Sequence, residues 1–125
     1  MKRRVAVLIS GNGSNLQALI DACAKEDFPA EITAVISNRD DAYGLNRARD
    51  AGISCHVIKH GDFATREAFD RKMHEQLLHH SAQIVCLAGF MRLLSPWFVG
   101  QWQGRLLNIH PSLLPKFKGP QAVRD

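Results

Sequence analysis

The sequence predicts a single domain with an α/β fold, built on a doubly wound, mostly parallel sheet of the Rossmann-like type. Two observations support this. Short apolar runs alternate with segments of helical periodicity along the whole chain, and polar, glycine-containing turns separate them, as in β-α-β units. The first run, residues 4–9, is almost continuously apolar, which is typical of a strand buried on both faces of a parallel sheet.

Five strands and four helices are expected in alternation. The strands are predicted at residues 4–9, 31–37, 54–58, 83–88 and 106–110, and the helices at residues 15–25, 43–51, 65–80 and 96–101. Gly52 suits the position that follows a helix, while Ser95 and Pro96 suit a helix start. In such a sheet, ligands bind beyond the carboxyl ends of the strands, where the strand order reverses.

Composition narrows the class of partner. The chain has 125 residues and a formal net charge of +4, and its basic residues are not interleaved with aromatic ones, so nucleic-acid binding is disfavoured. A mildly positive field suits a small phosphate- or carboxylate-bearing molecule equally well. No apolar run reaches the roughly 18 residues of a membrane span, so no membrane partner is expected.

The three cysteines, Cys23, Cys55 and Cys86, are scattered and show neither paired nor metal-type spacing. They are interpreted as small core residues of a protein in a reducing compartment, which predicts the cytoplasm. No metal site is predicted.

The loop at residues 10–15, Ser-Gly-Asn-Gly-Ser-Asn, joins the first strand to the first helix. Glycines allow a ligand to approach the backbone closely, and the amides at a helix N-terminus favour an anion. Gly13, Ser14 and Asn15 are therefore candidate phosphate-binding residues, with a plain tight turn as the alternative. The loop is not a Walker A motif, and Leu16 stands where a dinucleotide fingerprint has its third glycine. A nicotinamide dehydrogenase is disfavoured, although Arg39 after the second strand keeps an NADP site open.

Asn108 and His110 lie two residues apart on the last predicted strand and therefore project from the same face. Pro111 and Pro115 restrict the chain that follows. An amide donor beside an imidazole suits a reaction that builds negative charge on a carbonyl oxygen and moves a proton nearby. The alternative is that both residues merely terminate a strand.

Four ordered segments, residues 7–18, 36–38, 87–92 and 107–115, carry a resemblance to the phosphoribosylglycinamide formyltransferase family of purine biosynthesis. The resemblance covers residues 1 to about 119. The last segment, Leu-Asn-Ile-His-Pro-Ser-Leu-Leu-Pro, is similar to formyl-folate hydrolases and methionyl-tRNA formyltransferases as well. The loop at residues 10–15 is the segment that points to the glycinamide ribonucleotide enzymes.

The resemblance implies transfer of the formyl group of 10-formyltetrahydrofolate, a cosubstrate, to the amine of glycinamide ribonucleotide, without a metal. It implies that Asn108 and His110 are catalytic and that Gly13, Ser14 and Asn15 bind the substrate phosphate. The residues that it assigns to formyl-folate are Arg66, Met91, Arg92, Leu93, Leu94 and Asn108. It also implies that the Leu114–Pro115 bond is cis.

The chain departs from the family pattern near its end. The family has a further catalytic Asp that lies later than this sequence reaches, and Asp125 does not match it. Residues 119–125 are atypical as well. We therefore expect residues 1–125 to form one domain that lacks the C-terminal part of the family fold. Three interpretations remain: a glycinamide ribonucleotide formyltransferase, a formyltetrahydrofolate hydrolase-type enzyme, and an inactive fragment that binds nucleotide phosphate. The sequence indicates no oligomeric state.

Overall fold

The computed structural model describes residues 2–109, in which five strands alternate with helices. The strands are β1 (Arg3–Ile9), β2 (Ala30–Ser37), β3 (Cys55–Val57), β4 (Ile84–Leu87) and β5 (Leu106–Asn108). The helices are α1 (Ser14–Cys23), α2 (Gly44–Asp50), α3 (Arg66–His79) and α4 (Pro96–Gln101), and a short 3₁₀ helix (His60–Asp62) precedes α3. The predicted α/β class and order of elements are confirmed.

All strand pairs are parallel, and the sheet has the order β3-β2-β1-β4-β5. The chain therefore runs outward from β1 to β3 on one side and then returns to place β4 on the other side of β1. Leu8 of β1 pairs with Ile36 of β2 and with Leu87 of β4. The strand order reverses between β1 and β4, which is where a ligand site is expected in this topology.

Alternate side chains of β1 build two separate cores. Val5, Val7 and Ile9 pack with buried residues of α1 and α2, whereas Ala6 and Leu8 pack with those of α3 and α4. Both faces of the sheet are thus covered by helices, which explains why β1 is apolar at every position from Val5 onward.

Local signals in the sequence explain the helix ends. The Thr65 hydroxyl accepts a hydrogen bond from Ala68 N–H at 3.0 Å and begins α3, and Ser95 does the same for Phe98 N–H at 3.2 Å in α4. Gly52, after α2, has a φ of +75°, as its predicted position requires. Observed element bounds differ from the predicted ones by one or two residues, which is usual at fraying ends.

Cys86 is buried in the core and Cys23 and Cys55 are half-buried against it, which fits the prediction that the cysteines are small core residues. Burial raises the pKa of Cys23 to about 11 and that of Cys86 to about 12, so both remain protonated at neutral pH. Among residues 2–109, none of the helices is both long and apolar enough to cross a bilayer.

Candidate ligand-binding cleft

A cleft of about 710 Å³ opens at the carboxyl ends of the central strands. Its size lies within the range of small-molecule sites. The described residues that line it are Ser10, Gly11, Asn12, Gly13, Ser14, Asn15, Asn38, Arg39, Asp41, Ala42, Tyr43, His60, Ala88, Gly89, Met91 and Arg92. The loops that follow β1, β2 and β4 supply most of these residues, so the cleft lies at the reversal of strand order.

The loop after β1 is packed tightly against the start of α2. Gly13 has a φ of +83°, and a Cβ atom at this position would lie 2.6 Å from the Cα of Gly44. The carbonyl of Gly11 accepts a hydrogen bond from Gly44 N–H at 3.0 Å. Only glycine meets both the backbone conformation and the close contact at residue 13.

Gly13 is also the N-cap residue of α1, and it contributes no side-chain hydrogen bond to the helix start. The first N–H groups of an α-helix have no partner within the helix, so those of α1 are suited to a ligand anion. Ser14, the first helical residue, is exposed beside them. Because Ser14 lies within the helix, it does not cap α1.

Asn15 connects the loop to the last described strand. Its side-chain amide donates a hydrogen bond to the carbonyl of Ile109 at 3.2 Å. Ile109 directly follows Asn108, which is half-buried at the end of β5 and pairs with Leu87. The predicted phosphate loop and the predicted catalytic strand end are therefore neighbours. His110 lies outside the described residues, as do Leu114, Pro115 and residues 119–125.

Arg47, on α2, is hydrogen-bonded to the loop, and sequence analysis did not identify it. Its guanidinium donates to the backbone carbonyl of Asn12 at 2.9 Å and to the side-chain Oδ1 of Asn12 at 2.7 Å. It also lies 5.1 Å from the ring centroid of Tyr43. Because no local pattern links residue 47 to residue 12, only the fold reveals that this positive charge stands beside the loop.

Sequence analysis also did not identify a series of hydrogen-bonded polar side chains at the ends of β1 and β2. The Ser10 hydroxyl donates to Asn38 Oδ1 at 2.7 Å and accepts from Met91 N–H at 2.8 Å. The amide nitrogen of Asn38 lies 3.4 Å from Nδ1 of His60. Ser10 and Asn38 are buried polar residues that each follow an apolar strand, and that contrast is the signal that could have identified them.

The residues predicted to bind folate, Met91 to Leu94, follow β4 without regular secondary structure. Met91 and Leu93 are exposed, by 81% and 74%, although both are large and apolar. Arg92 is half-buried, and its Nε atom has no hydrogen-bond partner among residues 2–109. Met91 and Arg92 line the cleft, and Leu94 packs against the core beneath it.

The structure places Arg66 and Arg39, the two other arginines predicted to contact a ligand, in different surroundings. Arg66 is exposed at the first residue of α3 and is not among the described lining residues. Arg39 lines the cleft but is paired with Asp41 at 2.9 Å. The hydrogen bond from Arg39 lowers the pKa of the Asp41 carboxyl, so the positive charge of Arg39 is compensated there. Within residues 2–109, no three His, Cys, Asp or Glu side chains converge to hold a metal ion.

Comparison with known proteins gives consistent matches. Residues 3–125 match the formyl transferase family. The chain is 55% identical over 121 residues to the phosphoribosylglycinamide formyltransferase of Escherichia coli (strain K12), a match that covers 97% of this chain and 57% of that protein. It is 56% identical to the trifunctional purine biosynthetic protein adenosine-3 of Chironomus tentans, over 99% of this chain and 9% of that protein.

Solved structures give the same result. The phosphoribosylglycinamide formyltransferase from Brucella melitensis superimposes with a TM-score of 0.85 at 48% identity, covering 98% of this chain and 64% of that one. Glycinamide ribonucleotide transformylase 1 from Symbiobacterium toebii gives a TM-score of 0.83 at 45% identity, covering 97% and 57%. The chain thus spans less than two thirds of the length of each of these relatives.

Proposed function

Because this chain belongs to the formyl transferase family, we propose that it transfers the formyl group of 10-formyltetrahydrofolate to the amine of glycinamide ribonucleotide in purine biosynthesis. One observation carries the choice of acceptor. The loop at residues 10–15 presents the uncapped start of α1 to a cleft at the reversal of strand order. That arrangement suits the phosphate of a nucleotide acceptor. Relatives named phosphoribosylglycinamide formyltransferase support the same acceptor.

The phosphate is proposed to bind at Gly13, Ser14 and Asn15. The exposed Ser14 hydroxyl and the first-turn amides supply donors, and the helix dipole favours the negative charge. Arg47 adds a positive charge behind the loop, where it also fixes Asn12. Since the site is built mainly from backbone groups, its shape depends on the close contact between Gly13 and Gly44.

Formyl-folate is proposed to bind along Met91, Arg92, Leu93 and Leu94, with Arg66 and Asn108 at its ends. The residues after β4 fit this ligand because they expose apolar surface, to which a flat heteroaromatic ring can bind, beside backbone groups that can recognise its edge. Arg92 lines the cleft and adds a positive charge there. Arg66 is exposed and cationic, which suits a carboxylate of the folate tail.

The proposed chemistry is acyl transfer. The ribonucleotide amine attacks the formyl carbon, a C–N bond forms, and the formyl oxygen becomes an oxyanion. The Asn108 amide and a protonated His110 donate hydrogen bonds to that oxygen, which is the type of electrostatic stabilisation that contributes most in such reactions. His110 then helps to move the proton from the incoming amine to the departing folate nitrogen as the original C–N bond breaks.

The proposed partners are therefore small molecules, with neither nucleic acid nor membrane involved, and the proposed location is the cytoplasm. The three free thiols support a reducing compartment. A formyl-folate hydrolase would use water as acceptor and would have no use for a phosphate loop, so the loop favours the ribonucleotide enzyme over this alternative.

The acceptor assignment is tested by calorimetric titration of the chain with glycinamide ribonucleotide and with the same molecule lacking its phosphate. We expect the phosphate to strengthen binding by at least about tenfold, or 1.4 kcal/mol, and inorganic phosphate to compete. Equal affinity for the two acceptors would contradict the proposal. Binding of the ribonucleotide with no binding of any folate would instead indicate a nucleotide-binding fragment.

A further inference from the structure

The residues Met91, Arg92, Leu93 and Leu94, called here the 91–94 segment, have no regular secondary structure of their own. Two of their side chains are exposed, and no strand or helix ladder holds their backbone. A segment of this kind adopts one conformation only where other groups fix it. Leu94 packs against the core, and side-chain hydrogen bonds hold the backbone at the two ends of the segment, at Met91 and at Ser95.

Ser10 fixes the first end. Met91 N–H donates to the Ser10 hydroxyl at 2.8 Å, and that hydroxyl donates in turn to Asn38 Oδ1 at 2.7 Å. Ser10 is 3% exposed and Asn38 is 4% exposed, so the hydrogen bond between these two side chains is buried. Ser10 is the first residue of the loop at residues 10–15, but its two side-chain bonds lead to Asn38 and Met91 and not to the proposed phosphate-binding residues Gly13, Ser14 and Asn15.

Asp70 fixes the second end. This residue of α3 is completely buried, and its Oδ2 accepts from Ser95 N–H at 2.6 Å. Ser95 is the residue directly after Leu94, and its hydroxyl caps α4 by accepting from Phe98 N–H. The other carboxyl oxygen of Asp70 has no partner within residues 2–109. Burial of a polar side chain costs free energy unless it is hydrogen-bonded, and the bond from Ser95 N–H supplies a partner for Asp70.

We propose that Ser10 and Asp70 are positioning residues for the formyl-folate site, because each holds one end of the 91–94 segment. Ser10 accepts from the N–H of Met91, and Asp70 accepts from the N–H of Ser95, the residue that follows the segment. This inference rests on the proposed function, which places the folate along this segment. Neither residue touches the folate. Both act indirectly. They fix the peptide groups of the segment and the exposed Met91 and Leu93 side chains, which contact the folate.

The test compares Ser10→Ala with Ser37→Ala. Ser37 is a matched control because it is also buried, pairs in register with Ile9 at the end of the adjacent strand, and uses its hydroxyl in two bonds. Those bonds go to the backbone of Arg39, at 2.7 and 3.0 Å, and not to the 91–94 segment. Asp70→Ala serves as an independent variant at the opposite end, in case Ser10→Ala does not fold.

The probes are 10-formylfolic acid, a stable oxidised analogue of the formyl donor, and glycinamide ribonucleotide. We expect Ser10→Ala and Asp70→Ala each to weaken binding of 10-formylfolic acid by about fivefold or more, as loss of a buried partner implies. Binding of the ribonucleotide should stay unchanged in Asp70→Ala and should weaken less than binding of 10-formylfolic acid in Ser10→Ala. Ser37→Ala should alter neither. Equal weakening of both probes, or an equal effect of Ser37→Ala, would overturn the positioning role and leave only a structural one.

Amide hydrogen exchange provides a readout that needs no ligand. Exchange at Met91 should accelerate in Ser10→Ala, and exchange at Ser95 should accelerate in Asp70→Ala, with the wild-type rates retained in Ser37→Ala. If these rates do not change, the anchoring itself is wrong. If they change while the wild-type chain binds no folate, the proposed function fails and the anchoring stands.

Discussion

Gly13 is restricted both by its backbone conformation and by its packing, and the two restrictions can be separated experimentally. Gly52 has a similar φ, +75° against +83°, but a Cβ atom there would meet nothing within 4 Å. Gly52→Ala should therefore cost only the penalty for a left-handed residue, about 1–2 kcal/mol of unfolding free energy. Gly13→Ala should cost about 1–3 kcal/mol more, because its methyl group would overlap the backbone of Gly44.

Urea unfolding of the two variants measures this difference, and titration with glycinamide ribonucleotide measures its consequence at the site. Only Gly13→Ala should weaken ribonucleotide binding. Equal losses of stability would show that the contact between the loop and α2 relaxes without cost, and the loop would then not depend on it.

Asn108 is the described residue on which the proposed chemistry depends most. Asn108→Ala should lower kcat by about 10²–10³, as loss of one oxyanion donor typically does, with little change in the affinity for glycinamide ribonucleotide. His110→Ala should likewise abolish transfer and leave ribonucleotide binding nearly intact. Asn46→Ala, an exposed asparagine on α2, is the control in steady-state kinetics. A raised KM with an unchanged kcat would assign Asn108 to binding.

The role of a motif of consecutive residues could be predicted from the sequence. Contacts between residues that are far apart in the sequence could not. Gly13, Ser14 and Asn15 form one continuous motif, and the structure places all three at the cleft. Ser10 and Met91 are 81 positions apart, and Arg47 and Asn12 are 35 apart. Such contacts depend on the order of the strands, which local periodicity does not specify.

At the scale of the elements, capping explains why some helix starts were predicted well. Thr65 and Ser95 each bond the N–H three residues ahead, which is a local interaction that the sequence encodes directly. Helices α1 and α2 differ, because neither of their N-cap residues, Gly13 and Tyr43, makes a side-chain hydrogen bond to the helix start. In α2 the Gly44 N–H donates instead to the Gly11 carbonyl at 3.0 Å. Of these two helices, α1 is the one whose start lies at the proposed anion site.

A pair of histidines joins the end of α3 to the edge strand β3. His56 Nε2 lies 2.7 Å from His80 Nε2, a distance that requires at least one of the two rings to be neutral. Burial lowers the pKa of His56, and the nearby His79 lowers it further. Burial likewise lowers the pKa of His80, with additional effects from His56 and His79.

These shifts predict that the protein loses stability in mild acid. Because both folded pKa values lie below the usual value of about 6.5, protons bind the unfolded chain more readily than the folded one. The stabilisation is complete above pH 6.5 and decreases as the pH falls through the unfolded pKa towards the folded ones. Urea unfolding between pH 8 and pH 5 should show this slope, and His56→Gln should flatten it. An unfolding free energy that stays constant or rises on acidification would contradict the prediction.

At the scale of the whole molecule, the succession of strands and helices was enough to predict the fold class, because apolar strands buried on both faces require helices on both sides. The position of the cleft followed from the rule for doubly wound sheets, and the structure has it at the reversal of strand order. The precise order β3-β2-β1-β4-β5 came only from the structure, since more than one arrangement of five parallel strands is compatible with the same pattern.

The most direct test is a formyl-transfer assay with 10-formyltetrahydrofolate and this chain, run with glycinamide ribonucleotide, with its phosphate-free counterpart, and with no acceptor. We predict that tetrahydrofolate and formylglycinamide ribonucleotide form together in equal amounts, and that omission of the phosphate sharply reduces the rate. Release of formate at the same rate with and without the ribonucleotide would contradict the proposed function and indicate a hydrolase instead.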